Sequence, residues 1–222
     1  VVRSDLLDYY VEIEHFDQMI VRAMATLEKA GQLDNTIVVI TSDHGMPFPR
    51  AKASLYDAGA HVPLAIRWPN GIVNAGRIFE GLINLSDVAP TFLQAADVKV
   101  PTMMTANSLM SVLKNKATTK RDSAYIAMER HDGCRKGGKG YPSRAIRTQD
   151  YLYIRNLEPT RWPAGNPDRE FCARYIPFGE VDTSPTKTLL MDNANKAGFK
   201  RFYDLAFSKR PAEELYHVTE DP

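Results

Sequence analysis

The sequence contains no apolar run approaching the roughly 18 residues of a membrane-spanning helix, and nothing at its start reads as a signal peptide. Cysteine is scarce. Cys134 and Cys172 are the only two, too few for a disulfide framework, and they stand either as one bridge or as two thiols. Charge of one sign is not in excess either: 28 Lys and Arg against 27 Asp and Glu give a formal net charge of +1. That balance excludes a general electrostatic drive toward nucleic acid or membrane surfaces, so any anion recognition rests on locally placed residues. Internal repeats and low-complexity tracts are absent. What remains, 44% hydrophobic and 25% charged residues over 222 positions, is the composition of a folded globular chain of one domain, or of one domain with a small annex.

The chain opens on Val1-Val2-Arg3, without an initiator methionine, and runs straight into a helical pattern. The expectation from this start is a piece of a larger chain. Leu6, Tyr9, Tyr10, Ile13, Phe16, Ile20, Ala23, Met24 and Leu27 recur at spacings of three and four and predict one amphipathic helix, capped by Ser4 and ended by Gly31. His15 and Asp17 fall inside it and read as a solvated or core-edge pair. After the turn Leu33-Asp34-Asn35 comes Thr36-Ile-Val-Val-Ile-Thr41. Such a β-branched run without polar alternation predicts a strand buried on both faces, as in a parallel sheet covered by helices.

Ser42-Asp43-His44-Gly45 follows directly. A carboxylate and an imidazole at a strand's carboxyl end lie where α/β sheets collect ligands, because the loops there expose groups that the sheet buries. As residue types they form either a metal half-site or a hydrogen-bonded structural pair. The next loop, Met46-Pro47-Phe48-Pro49-Arg50-Ala51-Lys52, is stiffened by two prolines and presents two cations. Val62 to Trp68 predicts a second apolar strand ending at the turn Pro69-Asn70-Gly71. Ser86 to Ala96 predicts a helix with Ser86 as its cap and Pro90 near its first turn. Between Asp97 and Lys120 no period is visible.

From Ser123 the texture changes to short strand-like runs, Ala124–Met128, Ala145–Arg147 and Tyr151–Ile154, which predict a small antiparallel sheet with Glu213–Val218 returning as an edge strand. This divides the chain into residues 1–120 and 121–222. Glu158 to Asp204, rich in proline, glycine and charge, predicts irregular structure or a long insertion. Glu129-Arg130-His131-Asp132 ends a predicted strand, and the Gly-Cys-Arg-Lys-Gly-Gly-Lys-Gly stretch after it reads as a flexible loop.

Read together, Asn35 to Gly45, then Lys52 four residues before Tyr56, Gly59, Val62-Pro63 and Arg67-Trp68-Pro69, resemble the sulfatase family of the alkaline phosphatase superfamily. The Ser-Asp-His-Gly core alone also fits phosphodiesterases and phosphomutases; the continuation is characteristic of sulfatases. The likeness extends upstream through Tyr10–Asp17 and downstream to Ala212–Tyr216 and Asp221-Pro222. Within the family, Asp-His-Gly-Met-Pro-Phe-Pro and the segment Tyr141–Gln149 look closest to the N-sulfoglucosamine sulfohydrolases, the heparan N-sulfatases.

The resemblance implies an α/β fold: part of an alkaline-phosphatase-like sheet sandwiched by helices, plus a small carboxy-terminal antiparallel α+β subdomain. It implies a divalent metal, calcium in most of the family, with Asp43 and His44 as half of its ligands, and Lys52 as the catalytic lysine that contacts the sulfate ester. It further implies a formylglycine nucleophile in an N-terminal half of the same protein, because its Cys/Ser-x-Pro/Ala-Ser/Thr-Arg signature does not occur here. Pro142-Ser143-Arg144 is a decoy, since Gly140 stands at the nucleophile position. His131, Arg50 and Arg135 are the residues expected against a sulfated saccharide, and the location implied is extracytoplasmic. The resulting expectation is the carboxy-terminal part of a sulfuric ester or sulfamate hydrolase, inactive as this piece alone. Two readings stand beside it: a phosphoric or phosphonic ester hydrolase of the same superfamily, and a sulfated-glycan-binding piece without turnover.

Overall fold

A computed structural model describes residues 1–116, 121–171 and 175–220. Helix α1 spans Val2–Lys29, as the three-and-four spacing requires. It starts before Ser4, which therefore lies inside the first turn and caps nothing; the Asp5 amide is already bonded to the Val1 carbonyl at 3.0 Å. Its end follows the sequence. Gly31 takes φ +65°, its amide bonds to the Glu28 carbonyl, and the Gln32 amide reaches back to Leu27, both at 2.9 Å. These are the two bonds of a Schellman ending, which favours glycine at the left-handed position. No residue of α1 is buried, and His15 and Asp17 are solvated.

A 3-10 turn over Leu33–Asn35 leads into β1 (Val38–Thr41), which pairs antiparallel with β2 (Leu64–Arg67), Val38 opposite Arg67 and Thr41 opposite Leu64. The parallel, doubly buried strand predicted here is corrected: β1 has one partner among the described residues and its side chains are half-buried or exposed. An unbroken apolar run reports how much the faces want covering and carries no information on the direction of the neighbour. Between the two strands lies a one-turn helix, α2 (Asp57–Ala60).

The helix predicted from Ser86 forms as α3 (Val88–Ala95), entered through a 3-10 turn whose cap is Asn84 rather than Ser86. The Asn84 amide donates to Asp87 Oδ2 at 2.9 Å, and buried Asp87 also holds Arg121, Nη1 to Oδ2, at 2.7 Å. The stretch after it, without visible period, contains α4 (Met110–Leu113), which buries Val112 and Leu113.

A four-stranded antiparallel sheet then forms in the order β3 (Ala124–Met128), β4 (Ser143–Arg147), β5 (Tyr151–Asn156) and β6 (Glu213–His217), with β6 at the edge as expected. Its core is Ala145, Leu152 and Ile154, and Leu55 from the loop before α2 plugs into the same cluster. Residues 158–204 are not an irregular insertion. They carry α5 (Pro185–Asp192) and α6 (Ala197–Phe207), and Phe178, Val181 and Phe207 make a second core with Ala164. At the start of α5 Ser184 caps the Lys187 amide at 3.1 Å and Pro185 takes the first turn, a local signal that the expectation of irregular structure passed over.

Candidate functional site

The site begins where β1 ends. Ser42 Oγ donates to the His44 carbonyl at 2.7 Å, and His44 Nδ1 lies 2.7 Å from the Gly45 carbonyl. A carbonyl only accepts, so Nδ1 carries a proton, and in the neutral ring Nε2 keeps its lone pair. That nitrogen stands 3.7 Å from Asp43 Oδ2, whose side chain is 86% exposed. Gly45 makes this turn possible by close approach: its amide bonds to the Gly59 carbonyl at 3.0 Å, and an added Cβ would sit 1.8 Å from the Ala58 oxygen. An oxygen and a nitrogen donor thus face one side. Among the described residues no group of three or more His, Cys, Asp or Glu converges on a metal position.

The loop that follows folds back on itself, the Lys52 amide bonding to the Met46 carbonyl at 3.0 Å. It holds Arg50 at φ 65° and Ala53 at φ 55°, left-handed backbone that costs a non-glycine residue energy and persists where surrounding contacts enforce it. Those contacts come from the carboxy-terminal sheet. Leu55 sits in its core, Tyr56 Oη donates to Glu214 Oε2 at 2.9 Å, and Arg147 grips Asp57 with Nε–Oδ1 at 2.9 Å and Nη2–Oδ2 at 3.0 Å. Arg50 lies over the Tyr56 ring at 4.2 Å from its centroid. Lys52 Nζ is bound to Asp182 Oδ2 at 2.6 Å.

The carboxy-terminal candidates form a second group. His131 Nδ1 lies 2.8 Å from Glu180 Oε2, and Arg135 Nη1 lies 2.7 Å from Glu180 Oε1. Arg135 also donates from Nε to the Trp162 carbonyl at 2.8 Å and from Nη2 to the Pro163 carbonyl at 2.6 Å, so each of its nitrogens is directed into the protein. The stretch expected to be a flexible loop is packed over its first part: Cys134 and Arg135 are 0% and 2% exposed. Tight packing is the reason, since a Cβ on Gly165 would meet the Cys134 sulfur at 2.7 Å. Cys172 lies outside the described residues, and the choice between bridge and thiols with it. The decoy serine, Ser143, is a buried residue of β4.

Arg50, Lys52, Tyr141, Glu180 and Glu214 line a cavity of about 60 Å³ between the loop and the sheet. Arg50 Nη1 and the Tyr141 hydroxyl are buried there without a hydrogen-bond partner among the described residues. Burial, reinforced by the negative charge of Glu214, pushes the Tyr141 phenol up to about 12, so it remains a donor at neutral pH. Asp43 and His44 instead face a broad cleft of about 1310 Å³ lined by β2 and β3. Sequence reasoning missed Glu180, Asp182 and Glu214. Glu180 and Asp182 come from a stretch without periodic signal and Glu214 from a strand whose pattern says nothing of its partner; they act on partners 45 to 158 positions away.

The family model for sulfatases matches residues 3–98. Over its whole length the chain is 29% identical to an ulvan-active sulfatase of Formosa agariphila, covering 34% of that protein. It is 27% identical to the N-sulphoglucosamine sulphohydrolase of Homo sapiens over 70% of the chain and 32% of that protein. Among solved structures, a protein in complex with its substrate D-glucosamine-2-N,6-O-disulfate superposes with a TM-score of 0.55 at 35% identity, over 63% of this chain and 29% of that one. The chain thus spans about a third of the length of the curated relatives it matches, and its α/β architecture is that of alkaline-phosphatase-like sulfatases.

Proposed function

Since the chain belongs to the sulfatase family through residues 3–98, we propose that it forms the carboxy-terminal part of a metal-dependent enzyme hydrolysing a sulfuric ester or sulfamate on a sulfated amino sugar. The observation that carries this reading is the convergence of Asp43 Oδ2 and His44 Nε2, 3.7 Å apart at the end of β1, inside the family-matched segment. The donor chemistry fits a divalent cation: an exposed carboxylate and an imidazole whose tautomer is fixed by the Gly45 carbonyl at 2.7 Å. The family implies calcium, while the nitrogen donor widens the choice to ions that accept imidazole. Bound there, with further ligands from outside this chain, the cation would stabilise negative charge on the sulfuryl oxygens.

Lys52 adds a fixed ammonium to the same task, with Asp182 holding it at 2.6 Å until an anionic substrate competes for it. Arg50, with one buried nitrogen lacking a partner, is the second cation offered to an anionic sugar, and His131 is the imidazole. Arg135 acts behind them, its donors spent on Glu180 and two carbonyls. The nucleophile comes from the preceding half of the longer protein. That half also covers α1, where Leu7, Tyr10, Ile13, Phe16 and Met19 are exposed, and fills the cleft in front of Asp43. An extracytoplasmic location belongs to the same proposal; no helix of the described residues is long and apolar enough to cross a membrane.

The amino-sugar part rests on the glucosamine derivatives named for the human relative and the solved neighbour. The test offers the full-length protein an N-sulfated glucosamine, a 6-O-sulfated glucosamine, an aryl sulfate, an aryl phosphate and a phosphonate monoester. Sulfate release from the glucosamines is expected to dominate. Faster cleavage of the phosphorus esters establishes the phosphohydrolase reading instead, and binding of the sulfated sugars without release establishes the glycan-binding one.

A further inference from the structure

Glu180 is among the most deeply buried side chains of the protein, 2% exposed, yet it ends on a histidine whose side chain is 38% exposed. Its Oε1 accepts Arg135 Nη1 at 2.7 Å; its Oε2 accepts the Asp132 amide at 3.1 Å and meets His131 Nδ1 at 2.8 Å. The guanidinium and the amide already supply a buried carboxylate with both charge compensation and hydrogen bonds. The contact to His131 is additional, and it reaches outward. The carboxylate is itself fixed from behind: the Glu180 amide bonds to the Ala164 carbonyl and that of Val181 to Phe178, both at 3.1 Å, while Val181 sits in the second core.

We infer that Glu180 is a positioning residue: it holds the proton of His131 on Nδ1 and turns Nε2, as a lone pair in a set direction, toward a hydroxyl of the bound sugar. This rests on the reading of His131 as a substrate contact made under the proposed function. A carboxylate accepting from one ring nitrogen fixes both the tautomer and the orientation of the ring, as it does for histidines in metal and nucleophile sites. The same short segment registers this imidazole against Lys52. Two residues on, Asp182 Oδ2 holds Lys52 Nζ at 2.6 Å, and Glu180 lines the cavity that Arg50 and Lys52 also line. Residues 180–182 thereby tie a group from the loop after β3 to one from the β1–β2 loop, and the spacing between sugar contact and sulfuryl contact is set by one short turn of backbone.

The test uses the full-length protein with His131→Ala, Glu180→Gln and the double variant, each assayed on a sulfated glucosamine and on a small aryl sulfate that lacks the sugar. Glu180→Gln is expected to lower kcat/KM on the sugar about 10- to 100-fold, the range for losing a hydrogen bond that orients a working imidazole, with little change on the aryl sulfate. The double variant is expected to be no worse than His131→Ala alone. Equal losses on both substrates, or additive losses in the double variant, overturn the inference by making Glu180 a stability residue; an unchanged sugar rate in His131→Ala overturns it by removing the contact it serves. If the wild type releases no sulfate from either substrate, the sulfatase reading falls by itself, and the ring is then judged by nitrogen NMR of labelled histidine at alkaline pH. That measurement also serves if Glu180→Gln fails to fold for want of a partner to Arg135. Neutral His131 protonated on Nδ1 in the wild type supports the inference, and an Nε2-protonated ring overturns it.

Discussion

Replacing Glu214 by Gln tests whether the carboxy-terminal sheet holds the loop that carries Lys52. The Glu214 side chain is 4% exposed. Oε2 accepts Tyr56 Oη at 2.9 Å, Tyr216 Oη at 2.5 Å and Arg210 Nε at 3.1 Å, and Oε1 accepts Asn156 Nδ2 at 2.8 Å. All four partners are donors, so the amide nitrogen of a glutamine meets a donor whichever way it points. Asn156 has no relief by turning over, because the same nitrogen also donates to the Pro211 carbonyl at 2.9 Å. Taking the charge from a buried ion pair of this kind costs about 3 to 5 kcal/mol. The pH dependence has a definite sign. Burial alone would raise the carboxyl's pKa, but the bonds from Tyr216, Asn156, Arg210 and Tyr56 outweigh it and hold the group below its ordinary value of 4.5. A folded-state pKa lower than the unfolded one means that the stabilisation is fully present above the ordinary value and is lost as pH falls through the folded one. Thermal melts of the full-length wild type and Glu214→Gln are therefore expected to differ by a constant gap above pH of about 5 and to converge on further acidification. A gap below about 1 kcal/mol, less than one lost charged hydrogen bond, or one that ignores pH, refutes the reasoning.

Arg147→Ala removes its three bonds to Asp57, at 2.9, 3.0 and 3.3 Å, and leaves a partly buried carboxylate; a loss of about 1 to 3 kcal/mol and faster tryptic cleavage at Arg50 and Lys52 are expected, and unchanged cleavage contradicts the anchoring. The isolated 222-residue chain is expected to release no sulfate from an aryl sulfate beyond its Lys52→Ala control, because it carries no nucleophile signature and, on the proposed reading, only half of the metal ligands; turnover above that control contradicts this.

Residues close in sequence were the legible ones. The helix ending at Gly31, the strand delivering Asp43 and His44, and the four strands of the small sheet all announce themselves through periodicity and turn chemistry. The direction of β1 against β2 was misjudged because an apolar run states the need for burial and not the identity of the neighbour. Residues 158–204 were misjudged because proline and glycine there cap and connect α5 and α6, a pattern that low periodicity disguises as irregular structure. Glu180, Asp182 and Glu214 were invisible because a carboxylate's partner is fixed by folding: only the assembled chain puts Asp182 beside Lys52, 130 positions away. Arg135, in a stretch that reads as a flexible loop, hides its partner for the same reason, being bound to Glu180 from 45 positions away.

The central claim is that Asp43 and His44 are metal ligands while Lys52 serves the sulfuryl group. Elemental analysis of the full-length protein, with Asp43→Ala and Lys52→Ala prepared alongside, tests it directly. The account predicts a bound divalent cation in the wild type, sharply reduced occupancy in Asp43→Ala, and near-normal occupancy in Lys52→Ala despite its lost activity. Full occupancy in Asp43→Ala would contradict it.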